Sequence, residues 1–218
     1  MGFGHLTAQL RWRSDEVALL EVVADRMRLA IQNAALVRES RAAMVRQKIF
    51  LRDVLASVTD GRLRLCFSEK DLPPRLPHVG AEVDLSTGDG VQRLRRQARA
   101  VAVKSGFVEE TLQDIETAVG EAGMNAYVHA GSGIGSVRVH HDTVQVWLVD
   151  HGTGISVEDL PRAALEKGYT TAGTLGHGLK LMLLSSDRIW LLTGVSGTTV
   201  VLEFDRVRAI PRWAQLVS

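Results

Sequence analysis

From Ser14 to Val58 the chain contains neither proline nor glycine, and this uninterrupted stretch limits the possible folds more than any other feature. Its apolar residues alternate by three and four positions: Leu20, Val23, Met27, Ala30, Ala34, Val37, then Met44, Leu51, Leu55 and Val58. Only Arg41 and Lys48 interrupt the series. Such spacing, held over about six repeats, predicts a heptad-patterned helix of the coiled-coil or helical-bundle kind. Ser14 is the expected N-cap, with Asp15 and Glu16 in the first turn. A single helix would be roughly 65 Å long at ~1.5 Å per residue. A small domain cannot bury so long a stripe, so a partner helix is expected and a homodimer through this segment follows. The alternative is one helix folded back in two pieces.

Asp60-Gly61 is a helix stop, and "SEKDLPPRLPHVG" after it carries three prolines that forbid helix. The expected organisation is an N-terminal helix over 1–60, a linker over 61–79, a second domain over 80–207 and a tail over 208–218. In the second domain the patterns predict a short strand (AEVDLS), a helix near 89–105 and another near 109–130. Alternating strands at 136–141 and 143–149 follow, then a glycine-punctuated loop, a helix near 177–186 and the strands "RIWLLT" and "TTVVLEF". Helices mixed with hairpin-connected strands predict an α+β fold, a two-layer α/β sandwich.

Three motifs carry chemistry. In "AVGEAGMNAYVHA", Glu121, Asn125 and His129 recur every four residues, which on an α-helix places them on one face. An Asn carbonyl is a hard oxygen ligand suited to Mg²⁺, and a Glu one turn earlier could act as general base toward a γ-phosphate. In "LVDHGTGIS", a β-branched strand runs into Asp150, and Gly152 and Gly154 form a turn that a ligand can approach closely. An Asp held at a strand end can accept from an exocyclic amine such as adenine's. In "GTLGHGLKLML", Gly173, Gly176 and Gly178 precede an apolar helix, an arrangement that turns backbone N–H groups toward phosphate. Neither a Walker loop nor a dinucleotide fingerprint is present. Each motif alone also fits a solvated helix face, a turn or a hinge.

Their order and spacing, closed by "SGTTVVLEF", resemble the GHKL ATPases, the superfamily of gyrase, sensor histidine kinases and MutL, over about residues 88–205. The resemblance implies the GHKL (Bergerat) fold binding ATP and Mg²⁺. "EAGMN" would be the N box, "DHGTG" the G1 box and "GTLGHGL" the G2 box. Asn125 would hold Mg²⁺, Asp150 would read the adenine amino group, and Thr198 would support Asp150 through a water. Gly152, Gly154, Gly173, Gly176 and Gly178 would shape the nucleotide loops, and Lys167 on the lid could approach the triphosphate. Gly120 and Gly123 depart from good helix formers beside the N-box Glu; they either make room near a ligand or loosen the helix.

Within the superfamily, "RRQARAVAVKSGFVEETLQDIETAVGEAGMNAYVHA" is similar to the anti-sigma-factor and switch-kinase branch of bacterial partner-switching systems. That resemblance implies transfer of the γ-phosphate to Ser or Thr of a STAS-domain antagonist, with Glu121 as the catalytic base. Two other readings stay open: the catalytic domain of a sensor histidine kinase, and an ATP-gated module that sequesters a sigma factor or antagonist without catalysis. The histidine-kinase reading needs a phospho-accepting His on the long helix, and residues 14–58 contain none. "WRSDEVALLEVVADRMRLAIQNAALVRES" resembles the last helix of a GAF sensor domain, so the chain is expected to be the output end of a longer sensor.

Composition narrows the remainder. A formal net charge of +1 across 218 residues, with basic residues spread along helices, argues against nucleic acid and an anionic membrane as partners. No apolar run approaches the ~18–20 residues that span a bilayer. "MGFGHLTAQLRWR" lacks a signal peptide's apolar core, and the single Cys66 rules out an internal disulfide, so a cytoplasmic location is expected. His151 and His177 lie inside the glycine boxes without ligand-spaced partners, so no transition-metal site is expected.

Overall fold

The computed structural model describes residues 13–156, 160 and 178–208. The chain divides into two units, Met1–Ile49 and Phe50–Ser218.

The first unit contains most of α1 (Ser14–Val58), a single continuous helix rather than two folded pieces. The main-chain N–H of Val17 donates to the Arg13 carbonyl (3.0 Å), so the helix starts one residue earlier than expected and Ser14 is its first helical residue. Leu20, Val23, Met27, Val37 and Met44, the expected seam, are all exposed on this helix. Leu19, Leu29, Ile31 and Leu36 are exposed as well, so the apolar surface extends well beyond one stripe.

The seam changes use within the second unit. Leu51 and Leu55 are buried in that unit's own core, Leu55 completely. The same three–four spacing therefore serves intrachain packing at the helix's end. Leu55→Ala is expected to lower unfolding free energy by about 2–5 kcal/mol, the cost of a core cavity, measured by urea denaturation. α1 closes as Gly61 donates from its N–H to Ala56 O (2.7 Å), with Asp60 and Gly61 both at positive φ (51° and 74°).

The segment 61–79, expected to be a linker, is part of the fold. β1 (Leu63–Cys66) pairs in parallel with β5 (Arg188–Gly194). After a short turn, the proline segment runs across the sheet to β2 (His78–Asp84). Gln145 Nε2 donates to Pro74 O (3.2 Å), and Gln145 Oε1 accepts from Leu76 N (3.3 Å). Arg138 Nη1 donates to Leu76 O (3.0 Å), and the Arg75 guanidinium sits 4.6 Å from the centre of the Trp147 ring. The prolines lie in no helix, and the segment that carries them is an ordered strap, with Pro77 O accepting from Val139 N (3.1 Å).

The six-stranded sheet has the order β1-β5-β6-β4-β3-β2, with β3 (Gly133–His140), β4 (Thr143–Asp150) and β6 (Gly197–Asp205) antiparallel to their neighbours. One face carries α2 (Gly88–Lys104), α3 (Glu109–Asn125) and α4 (Gly178–Ser185). Val144, Val146 and Leu148 point into that core, while the alternate residues Gln145 and Trp147 face the strap. The fold is thus the expected α+β sandwich, one helical layer on one sheet, with the strap closing the other side. Among the described residues no helix is long and apolar enough to cross a membrane.

Candidate functional site

Two glycines of α3 settle how that helix is used. A Cβ on Gly123 would stand 2.9 Å from Val91 Cγ1, and one on Gly120 would stand 3.3 Å from Arg95 Cδ. Gly123 therefore lets α2 approach α3 closely, while Gly120 faces the flexible Arg95 side chain of α2. On another face of α3, Glu121 and Asn125 meet the start of α4. A Cβ on Gly178 would stand 3.1 Å from Glu121 Oε2 and 3.4–3.5 Å from the two terminal atoms of Asn125. Both side chains are half-buried, and neither is hydrogen-bonded to another described residue.

The third member of the expected row does not belong with them. After Asn125 the helix widens into a π-turn, Ala126–Ala130, which ends at the left-handed Gly131 (φ 70°). The four-residue spacing keeps its α-helical meaning only as far as Asn125. His129 lies exposed beyond that point.

At the end of β4, Asp150 Oδ1 accepts two main-chain hydrogen bonds, from Gly152 N (2.9 Å) and Thr198 N (3.0 Å). These bonds fix the carboxylate plane, and no hydrogen bond from a described residue occupies Oδ2. Thr198, expected to support Asp150 through a water, reaches it through its own main-chain N–H, and its hydroxyl lies 3.1 Å from Thr193 Oγ1. Thr193 Oγ1 in turn accepts from Ile155 N (2.7 Å), which pins the far end of the 150–155 loop to β5.

Glycine is required at two points of this loop-and-hairpin contact. Gly154 has φ +71°, and a Cβ there would collide with the Gly194 carbonyl. Gly197 has φ +125°, and its Cβ would collide with the carbonyl of Asp150 itself. Gly152 is constrained by space alone, since a Cβ would stand 2.8 Å from Ala130 Cβ.

His151, next to Asp150, is exposed and lines an open depression of about 450 Å³ with Glu82, Asp84, Ser132 and Ile134. Two carboxylates on that wall make it a poor place for phosphate. Among the described residues no group of three or more His, Cys, Asp or Glu is placed to hold a metal ion. The carbonyl oxygen of Asn125 beside Gly178 suits a hard divalent cation that takes its other ligands from water and phosphate, as Mg²⁺ does.

The family model for the histidine kinase-like ATPase domain matches residues 86–204, which span β4 with Asp150, α3 with Glu121 and Asn125, and nearly all of β6. The chain belongs to this family.

Solved structures give similarity at low identity. The RsbU and RsbW domains of Rv1364c from Mycobacterium tuberculosis match at 16% identity and a TM-score of 0.41, covering 61% of this chain and 35% of that one. The match thus spans about a third of that solved chain. The catalytic domain of histidine kinase ThkA matches at 14% identity and a TM-score of 0.40, covering 58% of this chain and 97% of the other. No curated protein sequence matches significantly.

In this histidine kinase-like ATPase domain, a nucleotide-binding fold, the residues expected at the site that fall within the described part are Glu121, Asn125, Asp150, Gly152, Gly154, Gly178 and Thr198. Glu121, Asn125 and Gly178 form one group, and Asp150, Gly152, Gly154 and Thr198 another. Lys167, Gly173, Gly176 and His177 lie outside the described residues. Sequence reasoning missed Thr193 and Gly197. The signal for both was the hairpin itself: "TGVSGT" sets Thr193 opposite Thr198 and Gly194 opposite Gly197, against the Asp150 loop. α1, β1 and the strap lie outside the family match.

Proposed function

We propose that this domain binds ATP with Mg²⁺ and transfers the γ-phosphoryl group to a Ser or Thr hydroxyl of a STAS-type partner protein. The observation that carries the proposal is the convergence of Glu121 and Asn125 on the first residue of α4. A carboxylate and an amide carbonyl then stand side by side where a glycine-rich segment leads into a helix. Asp150 Oδ2 supplies an acceptor for the adenine amino group, held in place by the two main-chain bonds on Oδ1. Asn125 contributes its carbonyl to the cation, which when bound neutralises the charge on the phosphates.

Glu121 takes the proton of the attacking hydroxyl as its oxygen bonds to the γ-phosphorus. The bond to the β-phosphate oxygen breaks, and ADP leaves. Incubation with γ-labelled ATP, Mg²⁺ and a set of STAS domains tests the assignment. Label on a STAS Ser or Thr is the expected result. Binding of ATP without label transfer in any pairing would favour an ATP-gated binding module instead.

The partner of the exposed α1 seam is proposed to be a second copy of the chain, paired through Leu20 to Met44. Leu51 and Leu55 are excluded from that interface because the chain's own core holds them. Size-exclusion chromatography with light scattering is expected to give a dimer mass, and a monomer at micromolar concentration would refute the pairing.

A further inference from the structure

Arg62 lies directly after the α1 cap, and its guanidinium bridges two helix ends. Nε donates to Thr59 O (3.4 Å), at the close of α1, and Nη1 donates to Leu183 O (3.0 Å), in the last turn of α4. Its main-chain carbonyl accepts from Ile189 N (2.7 Å), so β5 fixes its backbone. The side chain is half-buried and has no carboxylate partner among the described residues. Two helix C-termini that approach each other bring together orphan carbonyls and the negative ends of two macrodipoles, and a cation between them satisfies both. The rest of the α4 terminus is held in the same manner: Ser186 N and Oγ donate to Met182 O, and Arg208 Nη2 reaches Ser185 O (3.4 Å).

α4 has eight residues, about 12 Å at ~1.5 Å per residue, and its other end is Gly178, against Glu121 and Asn125. A short packed helix moves as a rod, so whatever sets its C-terminal end also sets its first residue at the site. We propose that Arg62 is a positioning residue for the nucleotide site, tying the end of α1 to α4 and so making nucleotide affinity depend on α1. This rests on the reading of that site as one for Mg²⁺ and ATP. Arg62 and β1 lie outside the residues that the family model matches, so this brace is an addition to the domain's matched core.

The test compares Arg62→Met, which keeps the length and loses the donors and charge, with Arg62→Lys, which keeps charge and a donor. Two readouts are used on the full chain, at a temperature where each variant is folded: amide exchange of residues 178–185 without nucleotide, and the dissociation constant for ATP with Mg²⁺ by calorimetry. Arg62→Met is expected to speed exchange at the start of α4 and to weaken binding about fivefold or more. Arg62→Lys is expected to recover most of both. A role confined to fold stability would lower the unfolding midpoint and leave the dissociation constant of the folded protein unchanged, and that outcome overturns the proposal. So does unaltered exchange in α4. If the parent chain binds no ATP, the nucleotide reading itself fails, and the exchange result separately decides whether Arg62 holds α4. If Arg62→Met does not fold, Arg62→Gln replaces it in the same comparison.

Discussion

Replacing Asp150 by Asn is expected to weaken ATP binding by about two to four orders of magnitude while leaving the fold intact. The two side chains have the same shape, so the consequence depends on which atom occupies which position. If the amide oxygen stays at Oδ1, it continues to accept from Gly152 N and Thr198 N. The NH₂ group then stands where Oδ2 stood and meets the adenine amino group donor to donor. If the amide flips, its oxygen serves adenine, but an NH₂ now faces two main-chain N–H groups that close the loop onto the hairpin. Either way a charge-assisted bond is lost, about 1.5–3 kcal/mol, and a donor is left unpaired, about 1–3 kcal/mol more. At about 1.4 kcal/mol per tenfold, that removes usable affinity. Calorimetric titration with ATP and Mg²⁺ checks it, alongside thermal unfolding without nucleotide, which is expected to change little. An unchanged dissociation constant would place adenine elsewhere.

Asp150 was readable in the sequence because its surroundings are local. A β-branched strand, an acid and two glycines within five residues define a strand end and a tight loop without reference to anything distant. Thr193 and Gly197 act on the same carboxylate loop yet were not readable, since their roles exist only through the β5–β6 hairpin register that brings the turn against Asp150. Helices α2 and α3 and strands β3 to β6 were legible for a similar reason: each carries its own periodicity over seven or more residues.

β1 is four residues long, and a run that short has no period to detect. The strap has no repeating pattern at all; its order comes from Gln145, Trp147 and Arg138, more than sixty residues away. The α1 seam shows the converse limit. The spacing that joins two chains in a coiled coil is the spacing that buries Leu51 and Leu55 at home, and periodicity cannot state which partner it serves. Nor does "AYVHA" announce a π-turn, so the row Glu121, Asn125, His129 looked longer in sequence than it is on the helix.

Glu121→Gln separates binding from chemistry. Gln fills the same volume beside Gly178, where Glu121 Oε2 would be only 3.1 Å from an added Cβ, so α3 and α4 keep their packing. Asn125 keeps its carbonyl for the cation. ATP affinity is therefore expected to stay within about threefold of the parent. The amide cannot accept the proton of an incoming hydroxyl, and loss of a positioned base costs about 10²–10⁴ in rate. Transfer to a STAS partner, and any release of phosphate to water, is expected to fall by that factor. The contrast with Asp150→Asn is the decisive feature, because one variant loses binding and the other keeps it while losing turnover. If Glu121→Gln transfers phosphate as fast as the parent, Glu121 is not the base, and its place beside Asn125 is one of cation or loop support. If affinity falls together with rate, the carboxylate contributes to holding the nucleotide–cation pair itself, and the proton must be taken by a different group.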